Sequence, residues 1–205
     1  MTPEQRQRTI DKHRDSLKRY GYHPYALYWS GKDIQEVRFQ VIADISMASG
    51  DSVLDVGCGF GDFHRWAKEQ GIYLDYTGLD LSPDLLAEAQ QHHPDASFFQ
   101  GELFDAPYEE QSMDWVILSG ALNEELHDDS SYAQRMIARM YRLCRRGVAF
   151  NMLDARFIQA HDLHSQHPET MLAYAQSLCP NCVCHDDYLK NDFTIYMYRE
   201  ALKHT

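Results

Sequence analysis

A short apolar run that ends in an acid and opens into three glycines constrains the fold of this chain most strongly. Residues 53–63 read Val-Leu-Asp-Val-Gly-Cys-Gly-Phe-Gly-Asp-Phe. A buried parallel strand reads as continuous Val and Leu, and a turn whose backbone comes close to a ligand needs residues without a Cβ. Apolar residues then recur at helical spacing. We therefore predict a strand at 53–56, a glycine turn and a helix at 62–69, as in the first βα turn of a nucleotide-binding sheet.

The residue after the third glycine separates this turn from a dinucleotide-binding fingerprint. That fingerprint has glycine at its first, third and sixth positions, and the sixth position here is Asp62. A carboxylate at a helix N-terminus would occupy the place of a pyrophosphate and repel it. We therefore expect a ligand without phosphates, and a nicotinamide oxidoreductase is the least favoured of the functions considered.

The same residues carry a family resemblance. Leu-Asp-Val-Gly-Cys-Gly-Phe-Gly at 54–61 resembles the first motif of class I S-adenosylmethionine-dependent methyltransferases. The resemblance implies S-adenosylmethionine as the cofactor, with Asp55 near its methionyl amino group and the glycine turn close to its methionyl part. The cofactor-binding residues implied by this motif are Asp55, Gly57, Cys58, Gly59 and Gly61.

A second motif follows at the distance that the resemblance implies. Residues 73–79 are a strand candidate that ends in Asp80, 25 residues after Asp55. By resemblance, Asp80 accepts hydrogen bonds from both ribose hydroxyls and Leu81 lies against the adenine. An ionised carboxylate has two oxygens that can accept from vicinal hydroxyls. Taken alone, Asp80 could also be a solvated acid at a strand end.

Two later segments extend the expected site. A strand at 96–100 is followed by Glu102, which the resemblance places at the adenine amino group, with the backbone amide of Leu103 at the ring. Most members have Asp at this position, and Glu is one methylene longer. A strand at 113–118 then stops at Ser119, which we expect beside the sulfonium, with Asn123 near the substrate.

The acceptor must be recognised by segments outside the shared scaffold. Ligands of open α/β sheets bind outside the carboxyl ends of the strands, so the segments that can cover the site are 20–38, 119–130 and 152–167. In the first, Tyr22, Tyr25 and Trp29 either wall a substrate pocket or anchor the N-terminal helix in the core. By resemblance Arg38 pairs with the cofactor carboxylate; the alternative is a surface arginine on an amphipathic helix.

The order of elements predicts a Rossmann-like, doubly wound α/β sheet of seven strands, mostly parallel, with a C-terminal antiparallel hairpin. Helices are expected at 9–19, 34–48, 62–69, 83–92, 132–143 and 168–178, and strands at 53–56, 73–79, 96–100, 113–118, 147–152, 183–188 and 193–199. The fifth helix should close on Arg145 and Arg146, cations in a last turn, with Gly147 as its stop. Residues 1–205 then form a single methyltransferase domain, in which 1–48 is a helical extension covering the cofactor and substrate crevice.

Composition and charge narrow the partners. A chain of 205 residues with 44% hydrophobic content can bury one large core. Its net charge of −12 repels phosphate backbones, so nucleic acid is disfavoured, although basic residues cluster between 6 and 19 and read as a solvated helix face. Neither a membrane span nor a signal peptide is expected, and cytoplasm is the expected compartment. The oligomeric state stays open.

Two clusters of side chains raise the question of a metal. Cys179, Cys182, Cys184 and His185 could form a zinc knuckle or stay free thiols on a surface strand. His161, His164 and His167 could bind a metal or be solvent-exposed imidazoles. Structural zinc sites usually draw their ligands from two separated pairs, and the histidines lie in a polar loop, so no metal is expected.

The leading hypothesis is a methyltransferase with a small-molecule acceptor. The alternatives are a protein or RNA methyltransferase and a non-catalytic S-adenosylmethionine-binding protein. An activated sulfonium needs little covalent machinery, because alignment alone can contribute about 7–11 kcal/mol. A catalytic base is not identified; the candidates are Tyr22, Glu124, His127 and His161.

Overall fold

The chain folds around one mixed β-sheet with helices on both faces. The structure, a computed structural model, describes residues 1–126 and 131–200. The helices are α1 (Pro3–Tyr20), a short 3₁₀ helix (Pro24–Leu27), α2 (Lys32–Ala43), α3 (Asp62–Glu69), α4 (Pro83–His92), α5 (Ser131–Leu143) and α6 (Pro168–Leu178). The strands are β1 (Ser52–Val56), β2 (Asp75–Asp80), β3 (Ser97–Gln100), β4 (Met113–Leu118), β5 (Cys144–Asp154), β6 (Ser165–Gln166), β7 (Cys182–His185) and β8 (Asp192–Tyr198).

The strand order confirms the predicted Rossmann-like sheet. Seven strands lie in the order β3-β2-β1-β4-β5-β8-β7. The first five are parallel, whereas β8 runs antiparallel to both β5 and β7. The short β6, which the sequence analysis missed, pairs with β5 off this path. Strand order reverses between β1 and β4, which is where open α/β sheets bind their ligands.

Alternation along the strands builds a core on each face of the sheet. Leu54 and Val56 of β1 face a cluster formed with α5 and α6. Val53, on the opposite side of the same strand, joins a cluster that includes Phe63 and Trp66 of α3. This period of two along buried strands is what a sheet covered on both faces requires.

Two helix boundaries differ from the prediction for local reasons. Helix α1 begins six residues before the expected start at residue 9, because Thr2 and Gln5 form a capping box and Pro3 occupies the first helical position. Helix α2 ends at Ala43, not at residue 48. Ile45 is nevertheless fully buried. It continued the apolar pattern of the helix because the chain still packs into the core after the helix has ended.

The expected helix stop at residues 145–147 is wrong, because β5 already begins at Cys144. Arg145 donates to Asp114 at 3.1 Å and therefore tethers β5 to β4. Gly147 is needed for a close approach and not for a turn. A Cβ at that position would lie 2.5 Å from the carbonyl oxygen of Met197 on β8.

Within residues 1–126 and 131–200, no helix is both long enough and apolar enough to cross a bilayer.

Candidate cofactor and acceptor site

A cavity of about 600 Å³ opens at the carboxyl ends of β1, β2 and β4. Twelve of the residues expected in the site line it: Trp29, Arg38, Asp55, Gly57, Cys58, Gly59, Asp80, Leu81, Glu102, Leu103, Ser119 and Asn123. Residues of α1, the 3₁₀ helix and α2 cover its other side. The three motifs, which are distant in sequence, are therefore brought to one place.

Three expected site residues do not line the cavity. Gly61 caps α3 with a φ of 73°, and a Cβ there would lie 3.1 Å from the ring of Phe98. Tyr22 stacks on His92 with ring centroids 3.8 Å apart. Tyr25 is about half exposed, with a relative accessibility of 49%. These three residues therefore lie outside the lining of the cavity.

The glycine turn brings its backbone against both the loop after β4 and the acid of β2. Gly57 has a φ of 73°, and a Cβ there would lie 2.3 Å from the Cβ of Ala121. The amide of Gly59 donates to the Asp80 carboxylate at 2.9 Å. The close approach of Ala121 excludes a side chain at position 57, and a Cβ at Gly59 would lie 2.9 Å from Leu27.

Asp80 is buried and keeps acceptor capacity for a ligand. One carboxylate oxygen accepts from the Gly59 amide and the other from the Ser82 amide, each at 2.9 Å. Each oxygen has a second lone pair. The alternative of a solvated acid at a strand end is wrong, since only 7% of Asp80 is exposed.

Asp55 is a buried carboxylate that pairs with no cation among residues 1–126 and 131–200. The Tyr76 hydroxyl donates to it at 2.7 Å. Burial raises the pKa of Asp55 to about 7, and the nearby Asp80 and Asp62 carboxylates also raise this pKa. A positively charged ligand group beside Asp55 would relieve that cost, which fits an ammonium group.

Arg38 is buried and paired within the protein. Its guanidinium forms an ion pair with Asp192, the first residue of β8, and lies over the Trp29 ring at 4.8 Å. Burial lowers the pKa of Arg38 to about 10. The alternative of a surface arginine is therefore wrong. Arg38 lines the cavity, and within the described residues its guanidinium Nε is buried without a hydrogen-bond partner.

Helix α1 is fastened over the cavity by polar contacts. Arg6 donates to Glu102 at 2.7 Å, so the acid expected at the adenine is also the anchor of this helix. Further along α1, Arg14 pairs with Asp84 at 3.0 Å. Glu102 is almost fully buried between these elements.

Sequence reasoning missed the cavity-lining residues on α1, which are Thr9, Lys12 and His13. Their spacing of three and four is the signal that one helical face turns inward. Thr9 donates from its hydroxyl to Glu124 at 3.2 Å. The role of Asn151 was also missed. This residue is fully buried, and its side-chain oxygen accepts from the Gly120 amide at 2.9 Å, which fixes the loop after β4.

Asp62 does not stand in the crevice as the sequence argument assumed. Its carboxylate accepts from Gln35 at 3.1 Å and from the Tyr22 hydroxyl at 3.3 Å. It is buried and does not line the cavity. The carboxylate therefore joins α2 to α3, and repulsion of a pyrophosphate from within the crevice has no geometric support.

Neither of the two clusters considered for metals forms a metal site within the described residues. In the described part of the chain, no three His, Cys, Asp or Glu side chains lie together as a metal would require. The thiols of Cys179 and Cys182 donate to backbone carbonyls, at 2.9 and 3.0 Å. His161 and His167 are exposed, but His164 is buried, so the expectation of a solvent-exposed imidazole is wrong for that residue.

Three of the four base candidates lie within the described residues, and one of these three lines the cavity. Glu124 does so, whereas Tyr22 and His161 do not. His127 lies outside the described residues.

A parallel sheet with a glycine turn after its first strand, an acid ending the next strand and a cavity at the switch point defines a Rossmann-like cofactor-binding domain. Residues 53–147 match the model of a family described as a methyltransferase domain. A methyltransferase from Archaeoglobus fulgidus, described as dependent on S-adenosylmethionine, has the same fold, with a TM-score of 0.67 at 15% identity over 85% of this chain and 99% of that chain.

Relatives in sequence agree with the family match. An uncharacterised methyltransferase of Synechocystis is 30% identical over 113 residues, which is 55% of this chain and 51% of that protein. The malonyl-[acyl-carrier protein] O-methyltransferase of Pectobacterium atrosepticum is 31% identical over 116 residues, 56% of this chain and 43% of that protein. The chain thus spans about half the length of these relatives. Residues 53–147 therefore match a methyltransferase domain, and the chain has the fold of an S-adenosylmethionine-dependent methyltransferase.

Gly57→Ala tests the close approach in the turn, with Gly71→Ala as the matched control. Both glycines have a φ near 75°, but a Cβ at Gly71 meets no atom within 4 Å. Both variants incur the left-handed backbone penalty. We expect Gly57→Ala to cost about 1–3 kcal/mol more in urea unfolding, from overpacking against Ala121, and to bind S-adenosylhomocysteine more weakly. Equal losses in the two variants would contradict the close approach.

Proposed function

We propose that the protein binds S-adenosylmethionine in this cavity and transfers its methyl group to a small-molecule acceptor. The observation that carries the proposal is the cavity itself. At one end it gathers the residues of the three cofactor motifs, and at the other it is lined by polar side chains from α1 and from the loops after β4 and β5.

The residues present fit the cofactor. The uncompensated carboxylate of Asp55 suits the methionyl ammonium, and the spare lone pairs of Asp80 suit the ribose hydroxyls. Leu81 and Leu103 offer apolar contact to the adenine, and Glu102 can accept from its amino group. In this proposal Arg38 faces the methionyl carboxylate. The remaining residues in this cofactor set are Gly57, Cys58, Gly59, Gly61 and Ser119, and Trp29 and Asn123 stand at the acceptor side.

The bound sulfonium supplies an activated methyl group, so the chain's own work is alignment. Holding an acceptor in line with the reacting carbon is worth as much as about 7–11 kcal/mol. Trp29 and the loop at 119–123 wall the acceptor side. Helix α1 covers one side of the cavity with Thr9, Lys12 and His13, and shielding of this kind strengthens the polar contacts inside.

The position of α1 over the cavity also favours a small acceptor over a macromolecule. An RNA or protein chain needs an open groove, but α1 lies across the cavity and is pinned by its ion pairs to Glu102 and Asp84. The net charge of −12 further opposes a phosphate backbone. The cavity of about 600 Å³ must hold the cofactor and the acceptor together, so only a small compound fits beside the cofactor.

The test incubates the protein with methyl-labelled S-adenosylmethionine and a cell extract divided into small-molecule, RNA and protein fractions. We expect label in the small-molecule fraction from the wild type. Asp80→Ala should abolish it, because hydrogen bonds to a charged group are worth about 1.5–3 kcal/mol each. Asp75→Ala, an exposed acid at the other end of the same strand, is the matched control and should behave as wild type.

Two outcomes would contradict the proposal. Label confined to the RNA or protein fraction would indicate a macromolecular acceptor. Absence of label despite tight calorimetric binding of S-adenosylhomocysteine would indicate a cofactor-binding protein without catalysis.

A further inference from the structure

A buried histidine stands at the acceptor end of the cavity. His164 lines the cavity and is 7% exposed. Its backbone amide donates to the carbonyl of Asn123 at 2.9 Å, and the neighbouring residues Glu124 and Leu163 form a β-bridge. The segment before β6 is thereby joined to the loop after β4, so the position of the imidazole is fixed by backbone contacts.

Within the described residues, one nitrogen of the His164 imidazole has a carboxylate partner and the other has none. The Nδ1 of His164 lies 3.4 Å from Glu125, a distance at which catalytic contacts often stand before ligands bind. A proton on Nδ1, directed at that carboxylate, leaves a lone pair on Nε2. The Nε2 is buried and has no hydrogen-bond partner in the part of the chain that the structure describes. An imidazole oriented by a carboxylate, with its far nitrogen free, is the arrangement of a general base.

A second unpaired acceptor lies next to it. The side-chain oxygen of Asn123 is buried and has no partner among the described residues, and Asn123 also lines the cavity. Leaving a buried acceptor unpaired costs about 1–3 kcal/mol. A ligand with two hydrogen-bond donors would satisfy both His164 and Asn123.

The other titratable side chains at this end of the cavity are less suited to the role. Glu124 is already engaged by the Thr9 hydroxyl and lies 3.8 Å from the ammonium of Lys12. Asp162 also lines the cavity but is exposed to solvent, as the outer side of this loop is. His13 lines the cavity too, and its Nδ1 is buried without a partner, but within the described residues no carboxylate pairs with its ring. The geometry therefore selects the imidazole of His164, which has Glu125 beside it.

We propose that His164, positioned by Glu125, is the general base of the reaction, and that the acceptor is a small molecule whose nucleophile is an O–H or N–H group. The proposal rests on the proposed function above. The acceptor's lone pair forms a bond to the methyl carbon as the carbon–sulfur bond breaks, and the electron pair of that bond passes to sulfur. The acceptor proton moves to His164 Nε2, and the resulting imidazolium is stabilised by Glu125. A carboxylate acceptor would need no such base.

The experiment uses the small-molecule fraction of the extract as the acceptor source and methyl-labelled S-adenosylmethionine as the donor. His164→Gln, which keeps most of the side-chain volume, is compared with His164→Ala. His167→Ala, an exposed imidazole three residues away, is the matched control. Calorimetric binding of S-adenosylhomocysteine and thermal unfolding are recorded for each variant.

We expect both His164 variants to bind S-adenosylhomocysteine within about twofold of wild type and to lose about 10²- to 10⁴-fold in initial rate. Added imidazole should rescue His164→Ala. If the acceptor is a phenol, the rate should also recover in part above about pH 9, where a phenol begins to ionise unaided. Glu125→Gln should lower the rate less and shift the acidic limb of the pH profile. His167→Ala should behave as wild type.

Each remaining outcome overturns the inference. A His164→Gln enzyme with wild-type rate would remove the base and leave the proposed methyl transfer standing. Loss of S-adenosylhomocysteine binding in both His164 variants would assign the residue a structural role. Labelled products that release methanol in mild alkali would be methyl esters and would contradict the acceptor class. Failure of the wild type to label any small molecule would defeat the proposed function itself.

Discussion

Arg38→Met is expected to lower the free energy of unfolding by about 3–5 kcal/mol, because it leaves a buried carboxylate without its cation. Arg38 is 5% exposed and its partner Asp192 is fully buried. Water cannot reach the carboxylate that remains, and the Tyr188 hydroxyl, which also donates to Asp192, is its main remaining polar partner. For a chain of this size the loss corresponds to roughly 6–20 °C in Tm.

A double variant separates charge from packing. Arg38→Met with Asp192→Asn removes both charges, and we expect it to recover most of the loss, since a buried ion pair contributes little net stability. Lys68→Met is the matched surface control, because Lys68 and Asp95 form an exposed pair at 2.6 Å that should be worth at most about 1 kcal/mol. Urea unfolding of the four proteins gives the comparison. An Arg38→Met protein within 1 kcal/mol of wild type would show that this pair is not desolvated.

The affinity for S-adenosylhomocysteine is expected to fall by up to about tenfold for each pH unit below 7. Burial raises the pKa of Asp55 to about 7, so below that pH the free protein carries a neutral carboxyl group. The ligand's ammonium favours the ionised form, and binding must then release a proton. Calorimetry between pH 5.5 and 7.5 measures the slope. Asp55→Asn should bind weakly with a flat profile, while Asp75→Asn should keep the wild-type profile.

The same group makes the unliganded protein less stable as the pH rises. The folded pKa of Asp55 lies above its ordinary value of 3.8, so its contribution to stability is complete below about pH 4 and is lost as the pH passes 7. The shift corresponds to roughly 4 kcal/mol. We therefore expect the stabilisation by S-adenosylhomocysteine to be larger at pH 7.5 than at pH 5.5. An Asp55→Asn protein with the wild-type pH slope in binding would contradict this assignment.

The bounds of several helices and strands could be predicted because the residue pattern that defines each one lies within that element. The bounds of α3 and α6, and of β4, match the expected 62–69, 168–178 and 113–118. Asp55 and Asp80 were predicted to share a site because parallel strands bring their carboxyl ends to one edge, and both line the cavity.

The remainder of the site depends on contacts between distant segments, which no local pattern carries. Arg38 is buried because β8 supplies Asp192, and His164 is buried because its segment pairs with the loop after β4. Gly147 could be mistaken for a helix stop because the carbonyl of Met197, which excludes a side chain there, is 50 residues away in sequence.

The position of β8 has a consequence for how the protein becomes competent to bind. This strand lies between β5 and β7, and its first residue holds the arginine at the cavity wall. Residues 53–147, which carry the family match, therefore cannot finish the pocket by themselves. During synthesis the site stays incomplete until the segment from 182 to 198 has joined the sheet. Binding of the cofactor therefore requires the complete sheet. A chain shortened before β8 should not bind the cofactor, even though every glycine of the turn is present.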